Sequence, residues 1–221
     1  MKKKQKPVNN KTPYISGKTE GQKEYIRGIV ENTVIFCQGP AGSGKTYIAA
    51  GIAAQYLIEG RVDKIVLTRP LVQVGKGLGF LPGDLSMKVS PYLTPLVEEL
   101  TNILGVERYT QLSLEGRIII EPLELMRGRN FHDAFMILDE AQNCTQEQIT
   151  MFVTRMGQNS KVCINGDSEQ NDLYGCALLD VMDYTKELPQ FTNVVLTDAD
   201  IVRNDLIGRF LKAVRNGKAR E

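Results

Sequence analysis

Six short runs of β-branched and aliphatic residues recur along this 221-residue chain, reading "TVIF", "KIVLT", "RIIIE", "FMILD", "KVCIN" and "NVVLT". Runs this short and this apolar suit strands buried on both faces. Most are separated by segments with helical periodicity: "GQKEYIRGIVEN", Lys45 to Ile58, "PYLTPLVEELTNIL", "TQEQITMFVTRM", "GCALLDVMDYTKEL" and "DIVRNDLIGRFLKAV". The alternation predicts an α/β fold, a parallel sheet with helices on both faces. Two helix starts carry cap chemistry. Thr145 precedes Gln148 by the capping-box spacing, and Asp200 is placed to cap the last helix. In such sheets ligands sit beyond the carboxyl ends of the strands, so the residues ending each run are the candidates for function.

With 42% apolar and 24% charged residues the chain has enough for one ordinary globular core. The expected division is a flexible basic tail over 1–18 and a single domain over 19–221. The tail, "MKKKQKPVNNKTPYISGK", is too polar to order itself, and its lysines also suit a nucleic-acid arm. A net charge of +1 neither announces nor excludes a nucleic-acid face. Cys37, Cys144, Cys163 and Cys176 show no C-x-x-C spacing, which points to a reducing cytosol and away from a disulfide frame or zinc site. The absence of a signal-like apolar region or an eighteen-residue apolar run leads to the expectation of a cytoplasmic protein that spans no membrane. His132 is the only histidine, which argues against histidine-based acid–base chemistry and for a turn or surface role.

The first strand end carries the strongest motif. Gly39-Pro40-Ala41-Gly42-Ser43-Gly44-Lys45-Thr46 fits G-x-x-x-x-G-K-T, with the strand "TVIFCQ" before it and a helix after it. The glycines let the backbone bend around an anion so that successive N–H groups and the helix N-terminus point at a phosphate. Lys45 is expected to bridge the β- and γ-phosphates of ATP, and the Thr46 hydroxyl to bind Mg2+. Tyr47, next in line, completes the expected nucleotide-binding set. A plain Gly-rich turn rarely carries Lys-Thr here.

Two further strand ends suggest what happens to the phosphate. "AFMILDEAQN" ends in Asp139, expected in the Mg2+ shell, and Glu140, expected to orient and deprotonate a water in line with the γ-phosphate. The plainer alternative is an acidic strand end that caps the next turn. In "KVCINGDSEQNDL", Gly166-Asp167 sit at the strand tip. Gln170 lies three residues on, where a neutral amide can touch the γ-phosphate and report its loss.

These patterns resemble a known family. "DEAQN" and G-D-x-x-Q are similar to motifs II and III of superfamily-one helicases. The runs "VLTRPLVQVGKGLGFLPGDLSMKVSPYLTPL" and "ELMRGRNFHDAFMILDEAQNCTQEQITMFVTRMG" resemble the PhoH family of phosphate-starvation-associated ATPases, over nearly everything from Thr19 onward. The resemblance implies an ATP-binding, RecA-like core with a role in RNA metabolism. It also implies that Gln22 lies near adenine, and that Thr68-Arg69-Pro70 corresponds to the helicase motif facing the single strand. The plainer alternatives are a surface glutamine on an amphipathic helix and an ion pair at a strand edge. The chain departs from larger relatives in showing no nuclease or KH module, and in Asn204 following Arg203 where many relatives have histidine.

Superfamily-one helicases hold ATP between two RecA-like lobes, and this chain has length for one. The missing wall is expected from another subunit in a head-to-tail ring, and the resemblance favours a hexamer. An arginine supplied in trans contributes roughly a thousandfold or more in rate. Arg129 is the first candidate and Arg203 the second, with Arg127 and Arg155 behind them; ordinary ion pairing is the alternative for each. The stretch "VGKGLGFLPGDL" reads as a loop or, alternatively, as a finger presenting Lys76 and Phe80 to a single strand. Three functions stay open: an Mg2+-dependent ATPase acting on RNA or single-stranded DNA, a small-molecule kinase, and an ATP-controlled scaffold that hardly hydrolyses.

Overall fold

The computed structural model describes residues 14–71, 85–170 and 177–202, without the side chains of 85–89 and Gln170. The expected helix from Asp200, the Lys76–Phe80 finger, Cys176 and the first 13 residues of the tail lie outside the described residues. Within the stretch read as tail, Ile15 is buried in the core.

All six expected strands form: β1 (Val34–Gln38), β2 (Lys64–Arg69), β3 (Ile118–Pro122), β4 (Ala134–Leu138), β5 (Lys161–Gly166) and β6 (Phe191–Val195). They make one parallel sheet in the order β3-β2-β4-β5-β1-β6. The last strand sits two residues earlier than "NVVLT" suggests, so Leu196 leaves the strand, its N–H still donating to the Gln38 carbonyl at 2.8 Å.

Side chains alternate across the sheet, as the two-residue period of a strand requires. Ile35, Cys37, Ile65, Leu67, Phe135, Ile137 and Cys163 face one core, which is covered by α1 (Glu20–Glu31), α2 (Lys45–Ile58), α3 (Leu85–Leu104) and α4 (Val106–Leu114). Val34, Phe36, Val66, Met136, Leu138, Val162 and Ile164 face the other, covered by α5 (Gln146–Val153) and α6 (Ala177–Thr185). Helix α2 is apolar nearly all round, with Ala49, Ala50, Ala53 and Ala54 fully buried, because it lies between the sheet and its neighbouring helices.

Helices α3, α4 and α5 depart from the sequence reading. Helix α3 begins six residues before Pro91 and keeps both Pro91 and Pro95 inside it, although proline at the first helical position is the favoured arrangement. Helix α4 is additional; only its Leu112 is buried, while Val106 and Leu114 are exposed, so its apolar period is weak. Helix α5 has the capping box expected at Thr145 and Gln148 but stops at Val153, where a parallel bridge between Phe131 and Met156 turns the chain toward β5. Cys37, Cys144 and Cys163 are buried free thiols, and burial pushes the last two up to about 12.

Candidate nucleotide site

The sheet order sets the site. Strands β4, β5 and β1 are consecutive neighbours, so their carboxyl ends place Asp139, Asp167 and the loop Gly39–Gly44 side by side at one edge of the sheet. A cavity of about 360 Å³ opens there, walled by loop residues, Lys45, Thr46, Arg69, Glu99, Asp139, Glu140 and Asp167. It is an open cleft with strand ends for its floor, the position expected of a ligand in an open α/β sheet.

The loop is held from several sides. Gly42 and Gly44 take φ values of 85° and 87°, in the left-handed region that glycine enters without steric cost. A Cβ on Gly39 would come within 2.6 Å of the Leu196 Cβ, so the loop's first residue must lack one. Ser43 is fully buried and its hydroxyl donates to the Pro40 carbonyl at 2.7 Å. The Lys45 ammonium donates to the carbonyls of Gly39 at 2.6 Å and Pro40 at 3.0 Å. The Ala41 N–H donates to an Asp167 carboxylate oxygen at 3.0 Å, so an anionic oxygen already sits against the loop's backbone donors. Tyr47, 47% exposed, follows on the rim.

Gln22 is buried, contrary to a surface position on an amphipathic helix. Its Nε2 donates to the Ser43 carbonyl at 2.9 Å, and its Oε1 accepts from the Lys18 N–H at 2.8 Å. It therefore braces the phosphate loop from α1.

At the end of β4 the Thr46 hydroxyl donates to Asp139 Oδ1 at 2.8 Å. Arg69, at the end of neighbouring β2, donates to Asp139 Oδ2 through Nε at 2.9 Å and Nη2 at 2.6 Å. Asp139 is only 2% exposed, so its charge is stabilised chiefly by this guanidinium. The donor set suits a hard divalent cation, since a hydroxyl and a carboxylate oxygen converge. Among the described residues no cluster of three or more His, Cys, Asp or Glu is placed to cage a metal. Mg2+, which takes most of its ligands from phosphate and water, needs only one or two protein oxygens, and Thr46 and Asp139 would hold it.

Glu140 has φ 57° and ψ 37°, a left-handed conformation unusual for a residue with a side chain. That backbone turn directs the chain into a short 3-10 segment, Ala141–Asn143, while the carboxylate stays on the cavity wall, 44% exposed. Its Oε2 accepts from Gln142 Nε2 at 2.6 Å, and Gln142 Oε1 accepts from the Asp167 N–H at 2.9 Å. One buried amide thus ties the ends of β4 and β5 together. Gln142 was inside the quoted motif, but no spacing rule marks an amide for this role.

Glu99, on α3, is a further carboxylate that the sequence did not reveal. Burial in the cavity wall, and secondarily the charge of Asp139, raises its carboxyl above the ordinary range. It belongs to an element distant in sequence from any phosphate motif, and only the fold brings it in.

The remaining candidates are not brought to this cavity. Arg129 pairs with Glu121 of β3 and lies over the Phe131 ring at 4.9 Å. Strand β3 is four strands from β1, about 19 Å at the usual strand spacing of about 4.8 Å. Arg155 donates to the carbonyls of Met151 and Arg129, and Arg127 is exposed. The Gln170 side chain and Arg203 lie outside the described residues. His132 is an exposed turn residue whose Nδ1 accepts from the Gln158 N–H at 3.0 Å.

Comparison with known proteins matches this arrangement. The family model described as PhoH-like protein covers residues 14–215. A PhoH-like protein of Bacillus subtilis is 44% identical over 208 residues, covering 93% of this chain and 65% of that protein. Protein PhoH of Escherichia coli K12 is 41% identical over 208 residues, covering 91% and 58%. The chain thus spans less than two thirds of the length of these curated relatives. Among solved structures, the UvsW helicase of bacteriophage T4 superposes with a TM-score of 0.50 at 12% identity, over 86% of this chain and 64% of that one. At that identity the likeness concerns the fold alone, that of a RecA-like P-loop core. The family match runs through both the phosphate loop and the strand ends that face it, and this chain belongs to the PhoH family.

Proposed function

We propose that this protein is an Mg2+-dependent ATPase whose hydrolysis is coupled to RNA or single-stranded DNA, and that it works in the cytoplasm as a homo-oligomeric ring, with six subunits favoured. The observation that carries the ATPase reading is the 2.8 Å hydrogen bond from Thr46 to the buried Asp139, with Glu140 next to it on the same cavity wall as Lys45. A kinase needs the first pair; a group that activates water is needed by a hydrolase.

Mg2+ bound between Thr46 and Asp139 would supply positive charge to the β- and γ-phosphate oxygens. Backbone N–H groups of the loop bind the β-phosphate, and Lys45 leaves the Gly39 and Pro40 carbonyls for the β- and γ-phosphates. Glu140 takes a proton from a water whose oxygen attacks the γ-phosphorus. The bond to the bridging oxygen breaks, and ADP leaves with the electron pair. Gln142 holds Glu140 in place during the transfer, and Gln170 is proposed to sense the γ-phosphate.

Nucleic acid as the partner is supported by family membership and by a fold shared with a helicase. The ring is supported by the openness of the cleft among the described residues and by Arg129 standing at the β3 edge of the sheet, far from its own phosphate loop. The test is phosphate release from ATP with and without Mg2+, in wild type and Lys45→Ala, repeated with single-stranded RNA and DNA across salt concentrations. Release should require Mg2+ and Lys45, and stimulation by nucleic acid should weaken steeply with salt because phosphate contacts release counterions. Wild-type turnover by Lys45→Ala would overturn the site, and a salt-independent rate in every mixture would overturn the nucleic-acid coupling.

A further inference from the structure

The Asp139 carboxylate is held from two sides, by a hydroxyl and by a guanidinium. Its Oδ1 faces Thr46, and its Oδ2 takes both hydrogen bonds of the Arg69 fork, at 2.9 and 2.6 Å. The same Nη2 lies 3.9 Å from Glu140 Oε1. The ladder fixes this meeting: Thr68 pairs with Leu138, and the Asp139 N–H donates to the Thr68 carbonyl at 2.9 Å, so Arg69 and Asp139 leave adjacent strands side by side. The Arg69 side chain is 19% exposed and shares the cavity wall with Lys45, Thr46 and Glu140. Among the described residues it is the one arginine in that wall.

We propose that Arg69 is an arginine supplied to the phosphate site in cis. It shields Asp139 in the arrangement described above, yields that carboxylate when Mg2+ and nucleotide bind, and then pairs with the γ-phosphate beside Glu140. The inference rests on the ATPase reading. A dication and a guanidinium both drawn to one carboxylate repel each other, so they compete for it. A displaced Arg69 stays tethered at the end of β2, within reach of Glu140 and of whatever anion enters between Lys45 and Glu140. Its planar fork matches phosphate oxygens as well as it matches the carboxylate. This placement differs from the single-strand contact that the helicase resemblance implies for Thr68-Arg69-Pro70.

The test uses Mn2+ as a paramagnetic probe of the Mg2+ position, with the full chain saturated with either ADP or a non-hydrolysable ATP analogue. In Arg69→Gln the Mn2+ midpoint with ADP should fall about tenfold or more, since a charge-assisted double hydrogen bond no longer competes. The preference for the ATP analogue over ADP, measured at fixed Mn2+, should drop by about tenfold in the same variant because its γ-phosphate partner is gone. Arg69→Lys keeps the charge and loses the fork; it should shift both quantities in the same direction by less, and it decides the matter if the glutamine variant does not fold. Unchanged Mn2+ midpoints, or an unchanged nucleotide preference, would overturn the proposal. Lys45→Ala run alongside separates the two failures: nucleotide binding unaffected by that change removes the ATPase site itself.

Discussion

Glu140 stands in a conformation that costs a residue with a side chain about 1–2 kcal/mol relative to the right-handed region. The fold holds it there through Gln142, whose amide reaches forward to Asp167 and back to Glu140. Strain retained at such a point fits a carboxylate that must aim at one spot. Replacing Glu140 by Gln keeps the shape, and the new amide oxygen still accepts from Gln142, but the base is lost. That variant should bind ATP and Mg2+ nearly as wild type does and hydrolyse about 10² to 10⁴-fold more slowly, as read by single-turnover phosphate release beside a nucleotide-binding titration. An unchanged rate would leave Glu140 as a turn residue only.

At the scale of elements, the two ends of the described chain meet at α1. Thr19, the N-cap of α1, accepts from the Gln22 N–H and donates its hydroxyl to Asp200 at 2.5 Å, while the Thr197 N–H donates to the other Asp200 oxygen at 2.8 Å. Asp200 thus closes a 3-10 turn and clamps α1, and both its oxygens face upstream residues. Burial opposes its ionisation, but the hydrogen bonds from Thr19, Thr197 and the Gly21 backbone outweigh burial and lower its pKa. A depressed carboxylate stabilises the fold fully above its ordinary pKa near 4, and that stability is lost as pH falls through the lower folded value. Asp200→Asn should therefore lower stability at neutral pH by about 1–2 kcal/mol, and the loss should shrink in acid; thermal melts from pH 7 to pH 2 would show it, and parallel curves would refute it.

Such clamps mark the limit of what the sequence made legible. The strands were readable because each is a short apolar run with a polar end, and the phosphate loop because its glycines, lysine and threonine occupy fixed offsets. Asp139 and Glu140 were readable because they end a strand. Arg69 was readable as an ion pair at a strand edge, though not its partner Asp139; Glu99 and Gln142 owe their positions to strand order and helix packing, which no local spacing encodes. Helix α3 was cut short for a related reason: proline reads as a start, while its place inside the helix depends on neighbours that the sequence does not display.

At the scale of the whole molecule, the cleft is open among the described residues, and the described arginines that the sequence offered to complete it are held elsewhere. Arg129 is half exposed at the β3 edge and tied to Glu121, so its removal should cost less than about 1 kcal/mol of stability. If neighbouring subunits complete each site, hydrolysis per subunit should rise with protein concentration as the ring assembles. Arg129→Ala should bind ATP but not turn it over, and mixing it with Lys45→Ala should recover part of the activity through interfaces that combine one intact loop with one intact arginine. Co-assembled mixtures that stay silent, for this arginine and for Arg127, Arg155 and Arg203 in turn, would mean that each site is complete within its own chain.

The sheet order also fixes a sequence of events during synthesis. Strand β2 pairs with β3 and β4, which leave the ribosome soon after it. Strand β1, which carries the phosphate loop, pairs only with β5 and β6: Val34 meets Val162 and Phe191. At about 5–20 residues per second the nascent chain carries β1 without a ladder partner for on the order of ten seconds. Over that interval a half-sheet of β2, β3 and β4 can assemble around Asp139 while the loop, lacking both the Asp167 contact and the Leu196 prop, has no fixed shape. A ribosome stalled before Lys161 would therefore display a chain that already holds Asp139 and Glu140 at a strand end and has no formed loop to face them.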